Sequence, residues 1–230
     1  MNILTKFCQK YLEKYEFLNP SFSQEGEDLI LSDLFSNKKT GFYVDVGAHH
    51  PKRLSNTALL YNRGWSGINI DPMISQSKIF KKLRPRDVNL GIGISKVAGD
   101  LEYFQFDEPA LNTFSVERRD FLLGLKPSKY SLITTEKVPT LPLAEVLRLH
   151  MPASKQIDFL SIDVEGLDED VLQSNDWKTF KPKVVLIEEN SQTNKRSHLL
   201  GHTLLTDLGY EFVAKTNRTL FFRLQSTTIE

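Results

Sequence analysis

Phe42-Tyr43-Val44-Asp45-Val46-Gly47-Ala48-His49 and, some twenty residues on, Ile68-Asn69-Ile70-Asp71-Pro72 decide the fold of this chain. Each is a short apolar run that breaks at its carboxyl end into small, polar or acidic residues, the pattern of a buried parallel strand. Gly47 after the first strand lets a ligand approach the backbone closely. Asp71 at the tip of the second can accept both hydroxyls of a ribose, as an open α/β sheet does when it holds an adenosine-containing cofactor at its switch point.

Outward from this pair, residues 88–94, 157–162 and 184–187 read as further buried strands, with Gly91 and Gly93 marking another close approach. Helical patterns lie between them, near 55–61 with Ser55 as cap, 74–83, 142–149 behind Pro142, 167–172 and 197–208. Ser21-Phe22-Ser23-Gln24 offers N-cap chemistry to a helix whose apolar face is Leu29, Ile30, Leu34 and Phe35. Residues 101–106 alternate, as a strand at an edge or in a hairpin does, and 210–214 and 219–224 read as a closing pair. Alternation of strand and helix predicts an α/β fold with a doubly wound, mostly parallel sheet and an antiparallel edge. Residues 107–135 are the least regular stretch and read as a lid or substrate-binding region.

The 230 residues are 40% hydrophobic and 25% charged, with 29 basic and 29 acidic side chains, so no basic excess supports a nucleic-acid partner. One cysteine, Cys8, gives neither an internal disulfide nor a zinc cluster. No apolar run is long enough for a transmembrane segment, and lysines interrupt any signal-peptide core, so the expectation is a cytoplasmic protein. Residues 1–20 form an N-terminal helical appendage, with Leu4, Phe7, Tyr11 and Tyr15 at helical spacing and Lys6, Lys10 and Lys14 between them. Packing on its own domain is the simplest use of that face; peripheral membrane contact and homo-oligomer formation are the alternatives. Residues 21–230 read as a single domain.

Asp45, Asp71, Asp163 and Glu188 all end strands, so this fold brings four acids to one crevice. Such convergence is costly unless the acids meet a cation, a sugar or a metal. The glycine pattern narrows the cofactor: after Gly47 come Ala48, His49, His50, Pro51 and Lys52, and G-x-G-x-x-G is absent. That disfavours a nicotinamide-dependent dehydrogenase and suits a cofactor without a pyrophosphate, S-adenosylmethionine, with its ribose on Asp71 and its sulfonium and amino group near Asp45. A metal-dependent hydrolase using Asp163, Glu165 and Glu188 would leave Asp45 and Asp71 unexplained, and a non-catalytic module would have no need of the intact acids.

Ser23-Gln24-Glu25-Gly26-Glu27-Asp28, the run from Phe42 to His49, Ser55-Asn56-Thr57, Gly64-Trp65-Ser66-Gly67 leading to Ile70-Asp71-Pro72, and Ile162-Asp163-Val164-Glu165-Gly166 together resemble the FkbM-type methyltransferases. The resemblance runs in order from about Phe22 to Asn190 and also takes in Leu111-Asn112-Thr113-Phe114-Ser115. It implies a class I, Rossmann-like methyltransferase fold and S-adenosylmethionine-dependent O-methylation. The acceptor it implies is a hydroxyl of a sugar, as in a polysaccharide, glycan or nucleotide-sugar, or of another small molecule. Carried over residue by residue, Asp45, Gly47 and Ala48 line the methionine end, Asp71 and Pro72 the ribose, and Asn89, Gly91 and Ile92 the adenine, with Gln24 and Asn56 nearby.

Methyl transfer from a sulfonium is an in-line displacement, helped by alignment and by a base that takes the hydroxyl proton. The expectation is that Asp163 faces the transferred methyl and Glu165 or His49 receives the proton, with Glu188 a further candidate base. Asp163, Glu165 and Glu188 also suit Mg²⁺ or Mn²⁺ as hard oxygen ligands. Arg118, Arg119, Lys126 and Lys129 are the cations that could grip an anionic acceptor.

Overall fold

The computed structural model describes residues 19–225 apart from 75–77, 126, 128 and 189–194, and backbone alone over 195–199. Most of the expected N-terminal appendage, together with Lys126, Glu189 and Asn190, lies outside the described residues. The strands are β1 (Phe42–Val46), β2 (Ser66–Ile70), β3 (Val88–Leu90), β4 (Gly93–Ile94), β5 (Gly99–Phe106), β6 (Leu132–Leu141), β7 (Phe159–Ile162), β8 (Val184–Glu188), β9 (Tyr210–Lys215) and β10 (Thr219–Leu224). Seven of them make one sheet in the order β3-β2-β1-β7-β8-β10-β9. The first five are parallel. β10 and β9 add the antiparallel edge. The order reverses beside β1, so the switch-point crevice opens above the carboxyl ends of β1, β2 and β7. This is the doubly wound architecture expected from the strand–helix alternation, and the Rossmann-like one that the family resemblance implies.

The pleat sends successive side chains to opposite faces. Val44, Val46, Ile68, Ile70, Leu160, Ile162, Val185 and Ile187 face one core, closed by Val146 and Leu147 of the Leu143–His150 helix and Leu172 of the Asp168–Gln173 helix. Tyr43, Phe159, Val184 and Leu186 face the other, under Leu31 of the Glu27–Leu34 helix and Leu60 of the Ala58–Asn62 helix. Both faces are therefore covered, as a parallel sheet requires.

Three local expectations are corrected. Residues 88–94 form not one strand but two: β3 stays in the main sheet, while β4 leaves it for a three-stranded sheet of order β4-β6-β5. Residues 107–135 are not irregular, since they hold a 3-10 turn at Pro109–Leu111, a helix at Val116–Gly124 and the start of β6. The Ser115 hydroxyl caps that helix by accepting from the Arg118 N–H. β6 escapes a pattern reading because its exposed half, Leu132 to Lys137, is rich in Thr, Glu and Lys, although eight of its residues pair with β5. Finally, the helix expected from Ser55 begins at Ala58, with Thr57 at the cap position. Both hydroxyls are spent elsewhere: Ser55 and Thr57 bond each other at 3.2 Å, and Thr57 donates to Asp45.

Candidate active site

Strand register sets up a polar row on one face of the sheet. Asp45 lies beside Ser161 on one side and Asn69 on the other, and Asn69 lies beside Asn89. These side chains bond one another and their neighbours rather than the crevice. The Thr57 hydroxyl donates to Asp45 at 3.0 Å, Asn56 donates to Ser161 at 3.1 Å, and Asn69 donates to Asn89 at 2.8 Å. Asn89 in turn donates to the carbonyls of Arg84 and Asp87 at 3.0 and 3.2 Å. None of Asp45, Asn56 and Asn89 lines the crevice: the pleat puts Asp45 and Asn89 on the face that carries the Ala58–Asn62 helix, and Asn56, in the loop before that helix, is tied to Ser161. Ala48 is also drawn away, packed with Ile74 and Phe80. Gly91 lies outside the cavity wall.

The crevice itself is a cavity of about 360 Å³, within the usual range of roughly 300–1,000 Å³ for small-molecule sites. Gln24, Gly47, His49, Asp71, Pro72, Ile92, Asp163 and Glu165 all line it. So do residues the sequence reading left out, among them Arg53, Tyr103, Phe114 and Arg218. Tyr103 and Phe114 pair with ring centroids 4.7 Å apart and form an aromatic wall. The second sheet brings Tyr103 to the crevice, a placement no local pattern announces. Phe114 stands in a motif noted from sequence, and Gly93 leaves room for it: a Cβ there would come within 2.5 Å of the ring.

Asp71 is buried, and burial raises its pKa to about 6 against two backbone bonds that lower it. Those donors are the Met73 and His49 N–H groups at 2.8 and 3.0 Å, one to each carboxylate oxygen. Each oxygen keeps a lone pair for a ligand hydroxyl. His49 has a left-handed backbone with φ of 46°. Its ring accepts from Arg53 at 3.1 Å, and desolvation followed by the Arg53 charge lowers its pKa to about 4. It is therefore neutral at pH 7 and too weakly basic to make a good proton acceptor. Arg53 also forms a two-pronged bond to Glu108, both prongs at 3.0 Å, tying the loop after β1 to the 3-10 turn at Pro109–Leu111 across the mouth.

One oxygen each of Asp163, Glu165 and Glu188 lie within 4.8 Å of one another; Asp163 and Glu165 line the cavity with Asp71, while Glu188, expected in the crevice, stands behind them outside its lining. Glu165, with φ of 53°, is engaged by the Arg118 guanidinium at 2.9 and 2.6 Å. That ion pair, and not an acceptor contact, consumes Arg118; Arg119 pairs with Asp120 and lies over Phe104. Asp163 faces the cavity, yet desolvation and then the charge of Glu188 push its pKa well above the carboxylate range. Burial and the Glu165 charge raise Glu188 to about 8, and its Oε2 has no partner among the described residues. The cluster can hold a proton near neutral pH, and its three hard oxygen donors also fit a divalent cation.

A stability test reads this crowding directly. Burial and its acidic neighbours raise Glu188 to about 8 in the folded state from an ordinary 4.5, so the native state binds the extra proton between those values and stability falls as pH rises through them. Glu188→Gln is expected to match the wild type near pH 4.5 and to exceed it by a few kcal/mol at pH 9, roughly 5–10 °C in Tm. Equal Tm differences at the two pH values would show that neither burial nor the neighbouring carboxylates raise the Glu188 pKa. Repeating the series with Mg²⁺ tests cation binding, which would stabilise the wild type alone at high pH.

No helix among the described residues is long and apolar enough to cross a membrane. The family model described as the methyltransferase FkbM domain matches residues 45–212. No curated protein matches the chain. The model match spans β1 to β9 and includes Asp71, Asp163 and Glu188, and the chain belongs to the FkbM methyltransferase family.

Proposed function

We propose that this FkbM-family methyltransferase is an S-adenosylmethionine-dependent O-methyltransferase acting on a hydroxyl of a sugar or glycosylated metabolite. The observation that carries the reading is the division of one cavity between Asp71 and the Asp163 cluster. Asp71, with one free lone pair on each oxygen, holds the ribose hydroxyls, and Pro72, Ile92 and the Tyr103–Phe114 wall enclose the flat, apolar end of the cofactor. Gly47 keeps the floor low under the methionine end. The cofactor supplies an activated methyl on sulfur.

Asp163 aligns the acceptor hydroxyl. The high proton affinity of the Asp163–Glu188 pair suits it to accept the proton as the new C–O bond forms and the C–S bond breaks. Glu165, tied to Arg118, positions this cluster, and His49 fixes the Asp71 carboxylate through its N–H. A base of this kind contributes about 10²–10⁴-fold. Mg²⁺ or Mn²⁺ on Asp163, Glu165 and Glu188 is the second reading, favoured by the unpartnered Glu188 oxygen.

Calorimetry with S-adenosylhomocysteine tests the cofactor half. Asp71→Ala is expected to weaken binding roughly 10–100-fold, the worth of hydrogen bonds to a charged group. Asp163→Asn is expected to keep that binding and to lose about 10²–10⁴-fold in turnover with sugar acceptors. Wild-type protein with no affinity for the adenosyl ligand would refute the cofactor assignment. Full turnover in Asp163→Asn would remove Asp163 from the chemistry, and loss of activity on chelation would favour the metal.

A further inference from the structure

Among the described residues, the cations expected to reach an acceptor are engaged elsewhere: Arg118 by Glu165, Arg119 by Asp120, and Lys129 over the Tyr130 ring. Arg53 is held by Glu108. Arg218, which the sequence reading did not single out, lines the cavity from the turn between β9 and β10. Thr219 is paired with Glu188 across β10 and β8, so Arg218 stands next to the acidic cluster.

Its turn is unusually well fixed for one that presents a half-exposed arginine. Glu25 accepts from the Arg218 N–H at 3.0 Å and from Asn217 at 3.4 Å. The Thr216 and Thr219 hydroxyls both donate to Glu27, which is buried, at 3.2 and 3.3 Å. Within the guanidinium Nε lies 3.5 Å from Glu25, its charge is also felt by Glu165 and Glu188, and the two terminal nitrogens make no hydrogen bond to the described residues. A fork of parallel N–H donors on a rigid turn is pre-organised for a planar or tetrahedral oxyanion, and binding it costs little further ordering.

Resting on the methyltransferase reading above, we propose that Arg218 gives this enzyme its acceptor class: a sugar bearing an oxyanion, held by the terminal nitrogens of Arg218 while its hydroxyl meets Asp163. The fork also offsets the repulsion that the three carboxylates exert on such an acceptor. A carboxylate, as in a uronic acid, and a sugar phosphate share this chemistry.

The test is calorimetric titration of the chain saturated with S-adenosylhomocysteine, using glucose, glucuronate and glucose 1-phosphate as probes. At least one anion is expected to bind about tenfold more tightly than glucose, and which one does so separates carboxylate from phosphate. Arg218→Gln is expected to abolish the difference while leaving the affinity for S-adenosylhomocysteine within about twofold. Equal binding of the three sugars, no binding by either anion, or a preference that survives in Arg218→Gln would overturn the assignment. Failure of S-adenosylhomocysteine to bind would count against the cofactor reading alone, because the same anion series on the free chain still reports on Arg218.

Discussion

Arg84→Met is expected to lower the stability of the fold by about 3–5 kcal/mol, the usual cost of breaking a buried ion pair by removing one partner. The Arg84 side chain is 2% exposed and the Asp87 carboxylate beside it is fully buried. Its guanidinium donates to Asp87 at 3.4 Å, to the Tyr43 hydroxyl at 2.9 Å and to the Pro51 carbonyl at 3.0 and 2.8 Å. It also reaches Ser55 and Thr57 at 3.1 and 3.3 Å. Burial already pushes the Asp87 pKa up, and without Arg84 that charge has only the hydrogen bonds of Tyr43, Asn69 and Gly67 to hold it.

Arg84→Lys is not expected to rescue the loss. One ammonium cannot span Pro51, Ser55 and Tyr43 with the geometry of a planar fork. Asp87→Asn in the Arg84→Met background should recover part of the loss by removing the orphaned charge, and the double-mutant cycle gives the coupling. The effect reaches the cavity as well. Pro51 lies in the loop that carries His49 and Arg53, so adenosyl-ligand affinity should fall along with Tm. A Tm drop under about 3 °C would show the network to be dispensable.

Arg84 also marks the limit of what the sequence tells. The strand ends were legible because an apolar run that stops at an acid carries its own position: Asp71 and Asp163 could be assigned to the crevice without coordinates. The phase of the pleat was not legible at Asp45 and Asn89, since a strand buried on both faces has no alternation to reveal which way a polar residue points. Both lie in the row that Arg84 helps to anchor, and a network linking residues 43, 51, 55, 57, 84 and 87 has no spacing to betray it. Arg118 read as a cation free to grip an acceptor for the same reason: its partner Glu165 is 47 positions away. Arg218 became informative only when β10 placed it beside Glu188. Position along a strand is local information, whereas the partner of a charge is tertiary.

Gly47→Ala is expected to cost more than any left-handed backbone penalty explains. Gly47 has φ of 84°, a region that costs a side-chain-bearing residue about 1–2 kcal/mol. A Cβ there would also sit 1.7 Å from the carbonyl oxygen of Asp163, so β1 and β7 would have to part at their carboxyl ends. Gly64 supplies the control: its φ is 102°, but the nearest atom to an added Cβ is a Thr40 methyl at 3.9 Å. Gly64→Ala should therefore lose only about 1–2 kcal/mol by denaturant unfolding, and Gly47→Ala at least about 3 kcal/mol once backbone overpacking is added. Because the shift falls on Asp163, turnover should drop further than stability does, by 10²-fold or so for about 1 Å of displacement. Equal losses at the two glycines would mean that conformation alone demands Gly47. A larger loss at Gly47 with full activity would mean that β7 yields without moving the carboxylate. Only a large loss of both makes the glycine what holds the cavity floor and the Asp163 carboxylate in register.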